Sequence, residues 1–136
     1  MFPIYLLEDN EAQRVEYISI IKNIIMIKEY DMQLVVATGD LQELMNNVMN
    51  SKEGLFFLDM EIGEQTQAGL NLADEIRQQL PCAQIVFITT HEELSFLTLE
   101  RRIAPLDYIL KEQGLDDIKQ KIVKDIDATQ TILKTE

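Results

Sequence analysis

Short, β-rich apolar runs alternate with stretches of helical period along the chain. The run "FPIYLL" at positions 2–7 gives way to Val15, Ile18, Ile21 and Ile25, apolar positions three and four apart. This predicts a strand and then a helix, capped by Asp9 or Asn10. "MQLVVAT" predicts a second strand, Gly39 and Asp40 a turn and cap, and "LQELMNNVMN" a helix with Leu41, Leu44 and Val48 on one side. "GLFFLDM" lacks alternation, as a strand covered on both faces should. A polar loop, "EIGEQTQAG", leads into the helix "LNLADEIRQQL", which stops ahead of Pro81. "QIVFITT" is a fourth buried strand, "HEELSFLTLERRI" a helix and "LDYIL" a fifth strand. The last helix, "LDDIKQKIVKDIDATQTIL", carries Leu115, Ile118, Ile122 and Ile126 toward the core.

Five strands alternating with five helices predict a doubly wound α/β fold, because parallel neighbours need crossovers and right-handed crossovers cover both faces of the sheet. Such sheets bind ligands beyond the carboxyl ends of their strands. Glu8 and Asp9 end the first strand, Asp59 the third, Thr89 and Thr90 the fourth, and Lys111 the fifth. Adjacent acids at the end of a buried strand repel one another and need a positive partner. With the first and third strands adjacent, as in the common five-stranded order, Asp59 joins the pair. Three clustered carboxylates suit a hard divalent cation, Mg²⁺ above all. A lysine and a hydroxyl at the same edge add donors for a phosphoryl group, and an aspartate carboxylate can act as its nucleophile. Asp59, from a central strand between the acid pair and the lysine, is the candidate acceptor.

At 136 residues, 46% of them apolar, the chain is sized for one domain over 1–136 with a single real core. The formal charge of −12 repels phosphate backbones and anionic membranes, and the lysines near the end are interleaved with acids. Neither nucleic acid nor a membrane is therefore an expected direct partner. Cys82 is the only cysteine, which rules out an intramolecular disulfide and fits a reducing compartment. "ISIIKNIIMIK" is too short and too interrupted by lysine to span a bilayer, and the N-terminus lacks a signal-peptide pattern. The expected location is the cytoplasm.

The acid pair Glu8–Asp9, "FFLDM" with Asp59, Gly69 after a loop, "IVFITTH" with Thr89, and "DYILK" with Tyr108 and Lys111 together resemble a response-regulator receiver domain of two-component signalling. The stretch "FITTHEELSFLTLERRIAPLDYILKE" is similar to receivers of the peptide-pheromone regulators, accessory gene regulator or competence type, which usually precede a LytTR-type DNA-binding domain. The resemblance implies a flavodoxin-like sheet of order 2-1-3-4-5. It implies that Glu8, Asp9, Asp59 and the backbone carbonyl of Glu61 hold Mg²⁺, and that Asp59 accepts a phosphoryl group from a sensor histidine kinase. Thr89 would hydrogen-bond that group, Lys111 would pair with it, and Tyr108 would switch with Thr89 to change an output surface, with homodimerisation on activation. Such a protein catalyses only its own phosphorylation and dephosphorylation and turns over no metabolite. Its DNA-binding domain would lie outside this chain.

Four features depart from the family pattern. Glu112 stands where a cis proline commonly follows the lysine, Thr90 where a smaller residue is common, and Pro105 ahead of the fifth strand, while the loop from Asp59 to Gly69 is long. His91 is expected to be exposed at a helix start. In the fourth helix Phe96, Leu99 and Ile103 fall on one side, and Leu94 and Leu97, beside Arg101, on another; the second stripe is a candidate partner surface. Two other classes of function compete with the receiver: an interaction module with a vestigial site, and a Mg²⁺-dependent phosphoryl hydrolase.

Overall fold

A computed structural model describes residues 1–48 and 51–135. Strands β1 (Phe2–Leu7), β2 (Met32–Thr38), β3 (Leu55–Leu58), β4 (Gln84–Thr89) and β5 (Asp107–Leu110) alternate with helices α1 (Glu11–Lys28), α2 (Leu41–Val48), α3 (Ala68–Gln79), α4 (Ser95–Glu100) and α5 (Leu115–Thr135). All strand pairs are parallel, in the order β2-β1-β3-β4-β5, as expected. The expected second helix ran on to Met49 and Asn50, which lie outside the described residues.

The central strands bury both faces. Tyr5, Leu7, Phe56, Leu58, Ile85 and Phe87 pack under α2 and α3, while Ile4, Leu6, Leu55, Phe57, Val86 and Ile88 pack under α1 and α5. The unbroken apolar runs of β3 and β4 follow from this double coverage. Tyr5 and Phe56 stack with ring centroids 4.5 Å apart, which ties β1 to β3 at the middle of the sheet. β2 is an edge strand whose register against β1 slips between Ile4 and Tyr5, so that Val35 bulges out and is exposed.

Two helices keep the expected core face except at one position each, Val15 in α1 and Leu115 in α5, with Ile18, Ile21 and Ile25 of α1 against the core. α1 buries Tyr17, Ile20, Ile21 and Ile24, while Val15 is 58% exposed. It carries isoleucine on nearly every side, so a spacing of three and four fits several stripes and does not choose among them. In α5 Ile118, Ile122 and Ile126 are buried, whereas Leu115, on the first turn, is exposed.

The α4 region corrects the candidate partner surface. Leu94, in a 3₁₀ turn (Glu92–Leu94), and Leu97 pack against the core below β4, whereas Phe96 and Leu99 are 62% and 82% exposed. The helix ends at Glu100, and Arg102 and Ala104 adopt left-handed φ of 56° and 52°. That reversal turns Ile103 into the core instead of leaving it in line with Phe96 and Leu99. Arg101 faces α3, donating to Asn71 Oδ1 at 2.6 Å. Arg77 fixes the following loop, donating from Nε to the Ile103 carbonyl at 2.8 Å and from Nη1 to those of Pro81 and Ala83 at 2.7 and 2.6 Å. Leu97→Ser should therefore cost about 1–2 kcal/mol in denaturant unfolding, and Leu99→Ser less than about 0.5 kcal/mol.

Asp125 of α5 is buried, and its Oδ2 has no hydrogen-bond partner among the described residues. Burial, reinforced by the neighbouring Asp107 carboxyl, pushes its pKa up to about 8. A carboxyl raised in the folded state contributes stability below its unfolded value, near 4, and that contribution is lost as pH rises toward 8. Asp125→Asn should accordingly raise the melting temperature by several degrees at pH 8 and by little at pH 4.5. Equal shifts at the two pH values would rule out this titration.

Candidate functional site

The carboxyl ends of β1, β3 and β5 converge. Asp59 N–H donates to the Leu7 carbonyl at 3.1 Å and Glu8 N–H to the Thr38 carbonyl at 2.9 Å, so the two acids extend adjacent strands. Glu8, Asp9 and Asp59 can each place a carboxylate oxygen within 4.8 Å of the others, with Glu8 and Asp59 buried and Asp9 exposed. Lys111, immediately after β5, projects among them, donating from Nζ to Glu8 Oε1 at 2.7 Å and to Asp59 Oδ2 at 2.9 Å. Burial raises the Glu8 pKa, against the pull of the Lys111 hydrogen bond. Burial also opposes the charge on Lys111, but the hydrogen bond to Glu8 and the negative charge of Asp59 outweigh it and raise the lysine pKa. The ammonium thus stays protonated as the internal counterion of the cluster.

Close backbone approach shapes the rest. Gly69, at the start of α3, lies so near the Asp59 carbonyl that a Cβ on it would sit 1.6 Å from that oxygen, and its N–H donates to the Met60 carbonyl at 2.8 Å. Gly63, at φ +61°, turns the β3–α3 loop so that its N–H donates to Asp9 Oδ2 at 2.7 Å. Glu61 N–H donates to Asp59 Oδ1 at 3.2 Å, which places Glu61 against the cluster. Arg14 caps the turn, donating from Nη1 to the Glu8 carbonyl at 2.9 Å.

Thr89 ends β4 fully buried, and its Oγ1 accepts from His91 N–H at 3.2 Å. Its strand partner is Leu110, the residue before Lys111, so hydroxyl and ammonium stand on neighbouring strands. Tyr108 is half-buried, its ring 5.7 Å from that of Phe87, and its hydroxyl donates to the His91 carbonyl. Burial, with Glu93 and Asp59 nearby, holds its phenol above the ordinary range. The Lys111–Glu112 peptide is trans.

Two residues near the site escaped the sequence reading. His91 is largely covered instead of exposed, with Nδ1 2.7 Å from Glu93 Oε1 and Nε2 3.3 Å from Glu61 Oε1. The Glu93 contact, against a smaller effect of burial, raises its pKa. A histidine followed two residues later by an acid was the available signal. Gln13, on the first turn of α1, accepts from Lys111 Nζ at 2.6 Å. Three residues after the Asn10 cap, it reads from sequence as the partner in a capping box.

With this geometry established, known proteins supply the family. The profile of the response regulator receiver domain matches residues 4–123. The chain belongs to the response-regulator receiver family. It is 37% identical over 132 residues to accessory gene regulator protein A of Staphylococcus epidermidis, covering 96% of this chain and 55% of that protein. The receiver therefore spans about half the length of that relative. Among solved structures, the response regulatory domain of mrkE from Klebsiella pneumoniae superposes with a TM-score of 0.78 at 23% identity, covering 99% and 100% of the two chains. TrrA from Thermotoga maritima, solved in complex with Mg²⁺ and BeF, gives 0.63 at 22% identity over 92% and 99%. Receivers of this family act in phosphorylation-dependent signalling as phosphoacceptors, not as metabolic enzymes. Among the described residues, no helix is long and apolar enough to cross a membrane.

Because any side chain at position 69 collides with the Asp59 backbone, Gly69→Ala should destabilise the domain by more than about 2 kcal/mol, measurable by denaturant titration.

Proposed function

We propose that this receiver accepts a phosphoryl group on Asp59 from a sensor histidine kinase, with Mg²⁺ held by Glu8, Asp9, Asp59 and the Glu61 carbonyl. The observation that carries the reading is the protonated Lys111 shared between Glu8 and Asp59 at the carboxyl edge of the sheet. The three carboxylates are hard oxygen donors close enough to share one small cation, and they lie beside the amine that would receive the phosphoryl oxygens. The metal would supply positive charge to offset that of the phosphoryl group.

An Asp59 oxygen forms the new bond to phosphorus as the phosphorus–nitrogen bond of the kinase phosphohistidine breaks and the imidazole leaves. Lys111 pairs with the transferred group, and the Thr89 hydroxyl, already an acceptor, turns its proton toward it. Loss of the phosphoryl group by water attack is the domain's only other reaction. The movement of Thr89 draws on the β4–α4 turn, where Tyr108 holds the His91 carbonyl, and so biases the position of α4. The exposed Phe96 and Leu99 support the reading in which that helix is the face used for homodimerisation on activation. In the whole protein, resembling the pheromone-response regulators, this change would control transcription through a LytTR-type domain, in the cytoplasm.

Intact-protein mass after incubation with acetyl phosphate tests this directly. The native chain should gain one phosphoryl group only when Mg²⁺ is present, and Asp59→Asn should gain none. No gain from acetyl phosphate or from a cognate kinase, with Mg²⁺ binding shown separately, would refute it.

A further inference from the structure

An ammonium carries three N–H donors, and those of Lys111 are all committed: to Glu8 Oε1 at 2.7 Å, Asp59 Oδ2 at 2.9 Å and Gln13 Oε1 at 2.6 Å. The lysine side chain is only 11% exposed, so solvent offers little substitute for any of the three. Gln13 is free for this contact for a local reason. Its own N–H donates to the Asn10 side chain at 2.9 Å, as a helix cap requires. The return bond of a capping box, from Asn10 N–H to the glutamine, is pre-empted, because Asn10 N–H donates to Glu8 Oε2 at 3.2 Å. The Gln13 amide is thus directed at Lys111.

Lys111 must surrender one bond before it can donate to an incoming phosphoryl oxygen. Two of its acceptors are carboxylates of the acid cluster; the third is a neutral amide, which lacks the charge–charge attraction that holds the ammonium to the acids. The Gln13 bond is therefore the first to yield. A cavity of about 320 Å³, lined by Gln13, Glu16, Tyr17, Lys111, Leu115 and Ile118, gives the amide room to withdraw.

We infer that Gln13 is a positioning residue for phosphoryl transfer: a neutral placeholder that occupies the third Lys111 donor until the phosphoryl group displaces it. This role presupposes phosphorylation at Asp59. In the assay, an Asp59 oxygen bonds phosphorus as acetyl phosphate loses acetate, and the rate is followed against donor concentration. Gln13→Met, similar in size but without a strong acceptor, leaves a donor waiting and should raise the rate at saturating donor roughly fivefold, the equivalent of about 1 kcal/mol. Half-saturation should stay unchanged. Gln13→Leu should act in the same direction, and Gln13→Glu, which adds a third anion, should slow the reaction by roughly tenfold.

A purely structural Gln13 would give variants that are all slower than the native chain or equal to it, the neutral ones no faster than Gln13→Glu, and that pattern overturns the inference. Thermal melts of all three variants identify any that fail to fold. A native chain that takes no phosphoryl group overturns the receiver reading and this role together. A native chain that is phosphorylated, with variants that match it, overturns the role of Gln13 alone.

Discussion

Everything at the carboxyl edge of the sheet depends on one buried cation. Glu8 and Asp59 extend neighbouring strands and are covered on both sides, so without Lys111 each would be an anion removed from water beside another anion. The lysine can serve both only because β5, which delivers it, lies two strands from β3 across β4, within reach of a long side chain. The parallel order of the sheet and the charge balance of the site are therefore one constraint. Moving any of β1, β3 or β5 would leave a buried charge unpaired.

A second constraint is steric. The β3–α3 segment closes over the site through backbone contacts that no side chain could tolerate at Gly69, and through the Gly63 N–H that reaches Asp9. The acid most open to solvent is thus tied to the loop that follows Asp59. Farther along, Glu61 meets His91 and Gln67 meets Arg101, so the same segment touches the α4 region near both of its ends. Asp59 and the α4 region are thus joined by a continuous run of contacts along this loop.

The sequence made much of this legible because strand ends are easy to read. Unbroken apolar runs ending in Glu8, Asp59, Thr89 and Lys111 place chemistry at one edge once the alternation of elements is recognised, and the five-stranded order follows the expected one. What escaped depended on rotation about a helix or on a backbone reversal. α1 is apolar around most of its circumference, so Tyr17 could not be preferred to Val15 by period alone. The left-handed Arg102 broke the stripe that joined Ile103 to Phe96 and exchanged the inward and outward faces of α4. Gln13 was hidden because its position has an ordinary role in helix capping, and only the diversion of Asn10 N–H to Glu8 frees it for another.

The bulge at Val35 bears on how such a chain can assemble. An open sheet has two unpaired edges, and the β2 edge is the longer strand at seven residues against four in β5. A straight, apolar edge of that length would template the backbone of a second chain. The extra residue bends the ladder and interrupts its regular spacing of donors and acceptors, which works against continuation of the sheet from one molecule into the next. Any contact with a second molecule at this edge is thereby left to side chains and kept away from main-chain pairing, which is hard to undo.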